Sequence, residues 1–258
     1  MTFKKHLPNL ITLLNLLSGT IAVYFAVKEQ LVLAAFFVFL GVFFDFFDGL
    51  AARLLNVQGE LGKQLDSLAD VVTSGVVPGI VLFQLISKVL TKGSWDLKNV
   101  INIKTPMWEH FNSTFFIAII GLIVTLAAAY RLAKFNIDER QTSSFIGLPT
   151  PAAALVVLSL PLILAYSNNQ FFINLIENVW FLIGLAMLLS YLMNAEIPLF
   201  SLKFKDYTWK NNKVKFSYIL ITVALCVFLQ FIAIPIVIIV YVLLSLVDVK
   251  LNRKKVKK

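Results

Sequence analysis

Cysteine and histidine are nearly absent from this sequence. Its 258 residues include one cysteine, Cys226, and two histidines, His6 and His110. A single cysteine excludes an intramolecular disulfide. Neither histidine lies near the other or near the cysteine in the sequence, which argues against a zinc site built from nitrogen and sulfur. A metal centre in this chain would have to use oxygen ligands.

Charged residues are also scarce. They make up 14% of the chain, and 59% is hydrophobic, whereas a soluble domain is usually about 45–50% apolar. This composition indicates an integral membrane protein. The long apolar runs predict an all-α, polytopic helical bundle with about eight transmembrane helices, in a single domain over 1–258. The predicted spans are 9–27, 31–55, 65–89, 112–133, 150–167, 174–196, 216–230 and 232–249.

The positive charge, +9 overall, is distributed unevenly across these spans. Only five of the 23 lysines and arginines fall on one side, namely Lys28, Lys88, Lys92, Lys98 and Lys104. This bias places both termini in the cytoplasm, and the basic tail at 250–258 then favours contact with anionic membrane lipids rather than nucleic acid.

The division of the chain follows from the same pattern. The catalytic part is expected at about 1–215 and the last two helices at 216–249. That last stretch could be one kinked helix or two short ones, and the basic clusters on both sides favour two.

Four aspartates stand at the edge of the second and third spans, within DFFDGLAARLLNVQGELGKQLDSLAD. Asp45 and Asp48 are three residues apart on one helix face, and Asp66 and Asp70 are four apart on the next. A short hairpin would bring the two helices together antiparallel. An unpaired ionisable group in the bilayer core costs roughly 3 kcal/mol, so the cluster predicts a divalent cation: Mg²⁺, Mn²⁺ or Ca²⁺. A substrate carrying phosphate would suit such an ion.

Two other interpretations of the aspartates are open. They could pair with Arg53 and Lys63 at the membrane surface, or they could bind the transported ion of an ion-coupled transporter. Small residues on the aspartate faces, Gly49, Ala52 and Gly62, favour the close approach of a second helix or of a flat ligand.

The same stretch fits the pattern D-x-x-D-G-x-x-A-R-(x)8-G-x-x-x-D-x-x-x-D at every defined position. It resembles the signature of the CDP-alcohol phosphatidyltransferase family, whose members transfer a phosphatidyl or similar group from a CDP-alcohol to a second alcohol and release CMP. The resemblance implies that Asp45, Asp48 and Asp66 hold the divalent cation, and that Asp70 is the general base and touches a second ion. It also implies that Gly49, Ala52, Arg53 and Gly62 bind the nucleotide.

Three further stretches are similar to the serine-transferring branch of that family: HLPNLITLLNLLSG, YRLAKFNI and SFIGLPTPAAA. They imply CDP-diacylglycerol and L-serine as substrates, although glycerol 3-phosphate or inositol phosphate as the acceptor stays open. The first stretch implies that Asn9, Thr12 and Asn15 line the nucleotide site.

Acceptor or phosphate binding would fall to Arg131, Lys134, Lys203 and Lys205. Lys134 stands where that branch has a second arginine, and Arg131 could instead be an ordinary interfacial arginine. The resemblance further implies a homodimer. Together with the charge bias, the sequence favours a prokaryotic plasma membrane and an active site that faces the cytoplasm.

Overall fold

The computed structural model describes residues 2–92, 113–138, 145–199 and 209–256. Its α-helices are α1 Thr2–Val27, α2 Leu31–Leu54, α3 Glu60–Asp70, α4 Val77–Leu90, α5 Ser113–Ala118, α6 Ile123–Ile137, α7 Thr150–Tyr166, α8 Gln170–Ile176, α9 Val179–Asn194, α10 Trp209–Leu229 and α11 Ala233–Val256. A π-helix, Val71–Val76, joins α3 to α4. Short 3₁₀ turns, Ile119–Leu122 and Gln230–Ile232, join α5 to α6 and α10 to α11.

The helices confirm the predicted membrane bundle. Within the described residues, five helical stretches are long and apolar enough to cross a membrane: His6–Val27, Leu31–Leu54, Glu60–Leu90, Thr114–Ile137 and Val214–Val247. The predicted span 174–196 is instead a broken pair, α8 and α9, bent by 75°, which makes a sixth if it is counted once. The break has a local cause, because the side chain of Asn178 accepts hydrogen bonds from the first backbone N–H groups of α9.

The C-terminal stretch is a hairpin. By length and hydropathy Val214–Val247 counts as one candidate span, but the rings of Tyr218 and Tyr241 lie 5.6 Å apart. On one straight helix their positions would be about 34 Å apart at ~1.5 Å per residue. The chain therefore turns back at the 3₁₀ turn, where Gln230 has a positive φ of 48°. The alternative of one kinked helix is wrong.

The first two helices pack against each other over much of their length. They turn at Glu29, and small side chains from both helices meet there, including the buried residues Ala22, Ala26, Ala34 and Ala35. Small residues let helix backbones approach closely in a membrane, where packing rather than hydrophobic exclusion drives association. This pairing brings the start of α1 alongside the end of α2.

A short strap fixes the beginning of α7. Strand β1, Phe145–Ile146, pairs antiparallel with strand β2, Pro198–Leu199, and the N–H of Gly147 donates to Ile197 O at 2.9 Å. Gly147 has a φ of 74°, and a Cβ there would lie 2.4 Å from Met193 O, so only glycine fits. Pro149 immediately precedes α7, and Pro151 lies in its first turn, where a helix tolerates proline because the missing N–H would have no partner there.

Candidate active site

Three of the four aspartates form a compact cluster. Each of Asp45 and Asp48 on α2 and Asp66 on α3 offers one carboxylate oxygen, and these oxygens all lie within 4.8 Å of one another. Like charges this close are unfavourable unless a cation or protons compensate them. One buried oxygen, Asp66 Oδ1, has no hydrogen-bond partner in the part of the chain that the structure describes. An oxygen-only cluster with an unsatisfied carboxylate oxygen fits a divalent cation such as Mg²⁺ or Mn²⁺.

The neighbouring basic side chains do not pair with these aspartates. Arg53 donates from Nε to Gly49 O at 2.9 Å, and Lys63 donates from Nζ to Asn136 O at 2.6 Å. Among the described residues, the one ion pair within 4.0 Å joins Lys134 to Glu196. The interpretation of the aspartates as simple surface salt bridges with Arg53 and Lys63 is therefore wrong.

Asp70 is not one of the three clustered carboxylates, although it interacts electrostatically with each of them, and it accepts a hydrogen bond from another chain of side chains. It is buried on the last turn of α3. Asn15 Nδ2 donates to Asp70 Oδ1 at 3.4 Å, and Thr73 Oγ1 donates to Asn15 Oδ1 at 2.8 Å. The amide of Asn15 is thereby fixed with its N–H side toward the carboxylate. Thr12, one helical turn earlier, donates to Asp48 instead.

The turn that carries Asp70 is pressed tightly against α1 and α2. The π-helix begins immediately after Asp70 and places Thr73 against two glycines. A Cβ on Gly19 would lie 2.4 Å from Thr73 Oγ1, and a Cβ on Gly41 would lie 2.7 Å from Thr73 Cγ2. The Asn15–Thr73 pair can form only because both glycines leave room for it. Single-turn π segments are frequently found at functional sites.

A cavity of about 450 Å³ opens beside the aspartate cluster. Asp48 and Asp66 form part of its wall, so the cluster and the cavity are one site. Six of the seven predicted nucleotide-binding residues line it: Asn9, Thr12, Gly49, Ala52, Arg53 and Gly62. Small-molecule sites commonly have volumes of about 300–1,000 Å³. The seventh residue, Asn15, is absent from the wall because it lies deeper, against Asp70.

The glycines of the motif differ from the packing glycines. A Cβ on Gly49 would meet only Arg53 Nη2, at 3.5 Å, and one on Gly62 would meet only Asn9 Oδ1, at 3.3 Å. Neither position brings another backbone close. Of the two explanations for these small residues, room for a ligand fits Gly49 and close helix packing does not.

Sequence reasoning missed part of this wall. The cavity is also lined by Pro8, by Val57, Gln58 and Gly59 between α2 and α3, and by Glu60 and Lys63 at the start of α3. Of these residues, Val57, Gln58, Gly59 and Glu60 fall in the eight undefined positions of the signature. The signature therefore did not single them out as part of the site. Their place between the aspartates of α2 and those of α3 was the available clue.

Arg131 is the basic residue most closely associated with Asp70. It is only 7% exposed, near the end of α6, and it interacts electrostatically with Asp70 and with Tyr241 of α11. Its Nε is buried without a hydrogen-bond partner among the described residues. An ordinary interfacial arginine would extend its guanidinium to water, so that interpretation does not fit. The C-terminal hairpin, which the sequence suggested only for topology, contributes Tyr241 here.

Of the other three predicted acceptor residues, the structure describes only Lys134. Lys134 Nζ lies 3.5 Å from Glu196 Oε1, so its charge is paired with a residue near the end of α9. Lys203 and Lys205 lie outside the described residues.

Comparison with known proteins finds similar sequences over most of the chain. The family model for CDP-alcohol phosphatidyltransferase matches residues 5–192. A CDP-diacylglycerol–serine O-phosphatidyltransferase of Bacillus subtilis is 34% identical over 167 residues, 62% of this chain and 81% of the relative. One of Helicobacter pylori (strain J99) with the same name is 30% identical over 222 residues, 84% of this chain and 80% of the relative.

A relative with a different name is also similar. An archaetidylserine synthase of Methanothermobacter thermautotrophicus is 30% identical over 165 residues, covering 63% of this chain and 60% of the relative. The family match spans most of the chain and includes every residue of the aspartate cluster and of the cavity wall. The chain belongs to the CDP-alcohol phosphatidyltransferase family.

Proposed function

We propose that this protein transfers the phosphatidyl group of CDP-diacylglycerol to the hydroxyl of L-serine, giving phosphatidylserine and CMP, as a step of phospholipid biosynthesis. One structural observation carries the proposal: two of the three clustered carboxylates, Asp48 and Asp66, form part of the wall of the cavity that the motif residues line. The choice of serine rests on the three relatives described above, because the name of each one refers to serine or to a serine-containing lipid.

The donor would occupy the cavity with its CDP part. Gly49, Ala52 and Gly62 leave space for the nucleotide, and Asn9 and Arg53 offer polar contacts at the wall. Asp45, Asp48 and Asp66 would hold a divalent cation, Mg²⁺ or Mn²⁺. When bound there, the cation neutralises the charge of the pyrophosphate.

Asp70 would accept the proton in the transfer step. The serine hydroxyl oxygen attacks the phosphatidyl phosphorus, and the bond from that phosphorus to the oxygen bridging it to CMP breaks. CMP leaves with the electron pair, and the hydroxyl proton passes to the Asp70 carboxylate. An alcohol is barely acidic, so a positioned base is what the reaction requires. Asn15 and Thr73 hold that carboxylate in one orientation.

Arg131 would bind the acceptor. Its guanidinium is buried close enough to interact electrostatically with Asp70, and arginine recognises carboxylate groups well because its N–H donors match their geometry. The carboxylate of serine would therefore lie toward Arg131 with the hydroxyl toward Asp70. Lys134, Lys203 and Lys205 remain secondary assignments from the family resemblance.

The proposal includes the arrangement of the helices across the membrane. We infer eight spans, with the bent pair α8–α9 as one and the C-terminal hairpin as two, both termini in the cytoplasm of a prokaryotic cell and the site facing it. Cysteine labelling in a Cys226→Ser background tests this. Ile137→Cys should react with a membrane-impermeant thiol reagent only after the cells are opened, whereas Gln30→Cys should react in intact cells. The reverse pattern would overturn the orientation. Light scattering of the purified protein would test the expected homodimer.

The test of the reaction is CMP release by purified protein with CDP-diacylglycerol and Mn²⁺ or Mg²⁺. Parallel reactions contain L-serine, glycerol 3-phosphate, inositol phosphate or no acceptor. Serine-dependent release is the expected result. Release with another acceptor alone would keep the aspartate mechanism and refute serine. No CMP release with any acceptor would refute the proposed reaction and favour the ion-coupled transporter instead.

A further inference from the structure

Asn136 ties the end of α6 to the helix that carries two of the aspartates. Its side-chain Nδ2 donates to Ser67 Oγ at 2.9 Å and approaches Gln64 Oε1 at 3.4 Å. Its backbone oxygen accepts the 2.6 Å hydrogen bond from Lys63 Nζ. All three partners belong to α3. Asn136 is part of the YRLAKFNI stretch, yet neither the aspartate signature nor the proposed reaction assigns it a role.

The contact with Lys63 satisfies a helix end. The last carbonyl groups of a helix have no partner inside it, and they carry partial negative charge. A lysine from a neighbouring helix is a suitable partner for such an oxygen. Lys63 also lines the cavity, so this contact links the cavity wall to the helix of Arg131.

A second tie, this time between α6 and the π-helix that follows α3, lies at the other end of the pair from Asn136. Thr125 Oγ1 donates to Gly75 O at 2.9 Å, and a Cβ on Gly75 would lie 3.2 Å from Ala128 Cβ. The two ties bracket the reactive residues, because Asp70 falls between Ser67 and Gly75, and Arg131 falls between Thr125 and Asn136. In an antiparallel pair, fixing both ends fixes the spacing between the groups in the middle.

We propose that Asn136 is a positioning residue that sets the distance between the Asp66–Asp70 turn and Arg131, and so aligns the acceptor with the base. The inference rests on the proposed function. Asn136 would act through Ser67, the residue next to Asp66, without touching either substrate. A displacement of about 1 Å between reacting groups can lower a rate about 100-fold.

The test compares Asn136→Ala, Ser67→Ala and the double variant with the wild-type protein. Asn174→Ala is the matched control, because Asn174 is also a helical asparagine in a side-chain amide pair, with Gln170, but is exposed on α8. KM and kcat are measured for serine and for CDP-diacylglycerol. The amount of functional protein is counted by titration with CDP-diacylglycerol.

We expect Asn136→Ala to lower kcat/KM for serine about 10- to 100-fold per functional protein. The KM for CDP-diacylglycerol should stay within about threefold, and Asn174→Ala should behave as wild type. Because Asn136 and Ser67 act as one contact, the double variant should lose no more than the worse single variant. If Asn136→Ala does not fold, Asn136→Asp keeps an oxygen for the Ser67 hydroxyl, loses the N–H donor, and should show a smaller loss of the same kind.

Several results would overturn the inference. One is an Asn136→Ala protein that matches Asn174→Ala. Another is a loss of Vmax that disappears when activity is expressed per functional protein, with every KM unchanged, since this indicates only a structural role. Losses that multiply in the double variant would also refute it. A wild-type protein that is inactive with serine would instead refute the proposed function, and the inference with it.

Discussion

Two glycines on α2, only eight residues apart, should respond in opposite ways to the same substitution. Gly41 is enclosed: an added Cβ would lie 2.7 Å from Thr73 Cγ2 and 2.9 Å from Asn15 Oδ1. Gly49 is open toward the cavity, with Arg53 Nη2 as its nearest contact at 3.5 Å. The pair therefore separates a packing role from a ligand-binding role within one helix.

The magnitudes follow from those contacts. Replacing a helical glycine with alanine gains roughly 1 kcal/mol of helix propensity, whereas overpacking a buried site costs about 1–3 kcal/mol. Gly41→Ala, which would clash with both Thr73 and Asn15, should lower the free energy of unfolding by up to about 2 kcal/mol net. Gly49→Ala should raise it by up to about 1 kcal/mol. In the bound state, however, the new methyl of Gly49→Ala would occupy space needed by the nucleotide. One misplaced methyl-sized group changes binding roughly 10-fold or more.

The assay combines thermal unfolding of the detergent-purified variants with steady-state kinetics. We expect the melting temperature to fall for Gly41→Ala and to stay level or rise for Gly49→Ala, by about 2–4 °C per kcal/mol. The KM for CDP-diacylglycerol should rise for Gly49→Ala. A Gly49→Ala protein with wild-type KM would refute the assignment of this cavity to the nucleotide. A Gly49→Ala protein as unstable as Gly41→Ala would refute the distinction between the two glycines.

Three further predictions concern the reaction. Asp70→Asn keeps the shape of the side chain and an oxygen for Asn15, so it should fold and bind CDP-diacylglycerol while kcat falls about 10²- to 10⁴-fold; near-normal turnover would exclude Asp70 as the base. Removing divalent cations with EDTA should abolish CMP release and added Mn²⁺ should restore it; release that persists in EDTA would contradict the metal assignment of the aspartate cluster. Arg131→Lys should raise the KM for serine about 10-fold, because lysine lacks the paired N–H groups of arginine. The KM for CDP-diacylglycerol should stay unchanged. The opposite result, a raised KM for CDP-diacylglycerol alone, would assign Arg131 to binding of that substrate.

Much of the architecture could be predicted because a chain that crosses a bilayer must satisfy its backbone groups within helices, and long apolar runs mark most of those helices. The helix boundaries that differ have local causes. The span predicted at 174–196 is broken by the Asn178 cap, a signal present in the sequence. The C-terminal hairpin depended on charge bias, since Gln230 and Pro235 alone did not distinguish a turn from a kink.

The residues of the site were predicted better than their positions relative to one another. The recurrence of Asn9, Thr12 and Asn15 every three residues correctly places them on one helix face. That face spans about 9 Å along the axis at ~1.5 Å per residue. Asn9 therefore reaches the cavity, whereas Asn15 reaches Asp70.

Contacts between distant segments carried no sequence signal. The bond between Lys63 and Asn136 joins residues 73 apart in the chain, and the electrostatic interaction between Arg131 and Tyr241 joins α6 to the last helix. No periodicity or spacing specifies such pairs. They follow from the packing of the whole bundle, and the role of Asn136 could not have been inferred without it.

The most direct test of the central claim is the stoichiometry of the two products. Wild-type protein would be incubated with CDP-diacylglycerol, isotopically labelled L-serine and Mn²⁺, and phosphatidylserine and CMP would be quantified together by mass spectrometry. We expect equal amounts of phosphatidylserine and CMP, with the label in the phosphatidylserine headgroup. CMP that forms without labelled phosphatidylserine would contradict the central claim, because the site would then hydrolyse the donor or use a different acceptor.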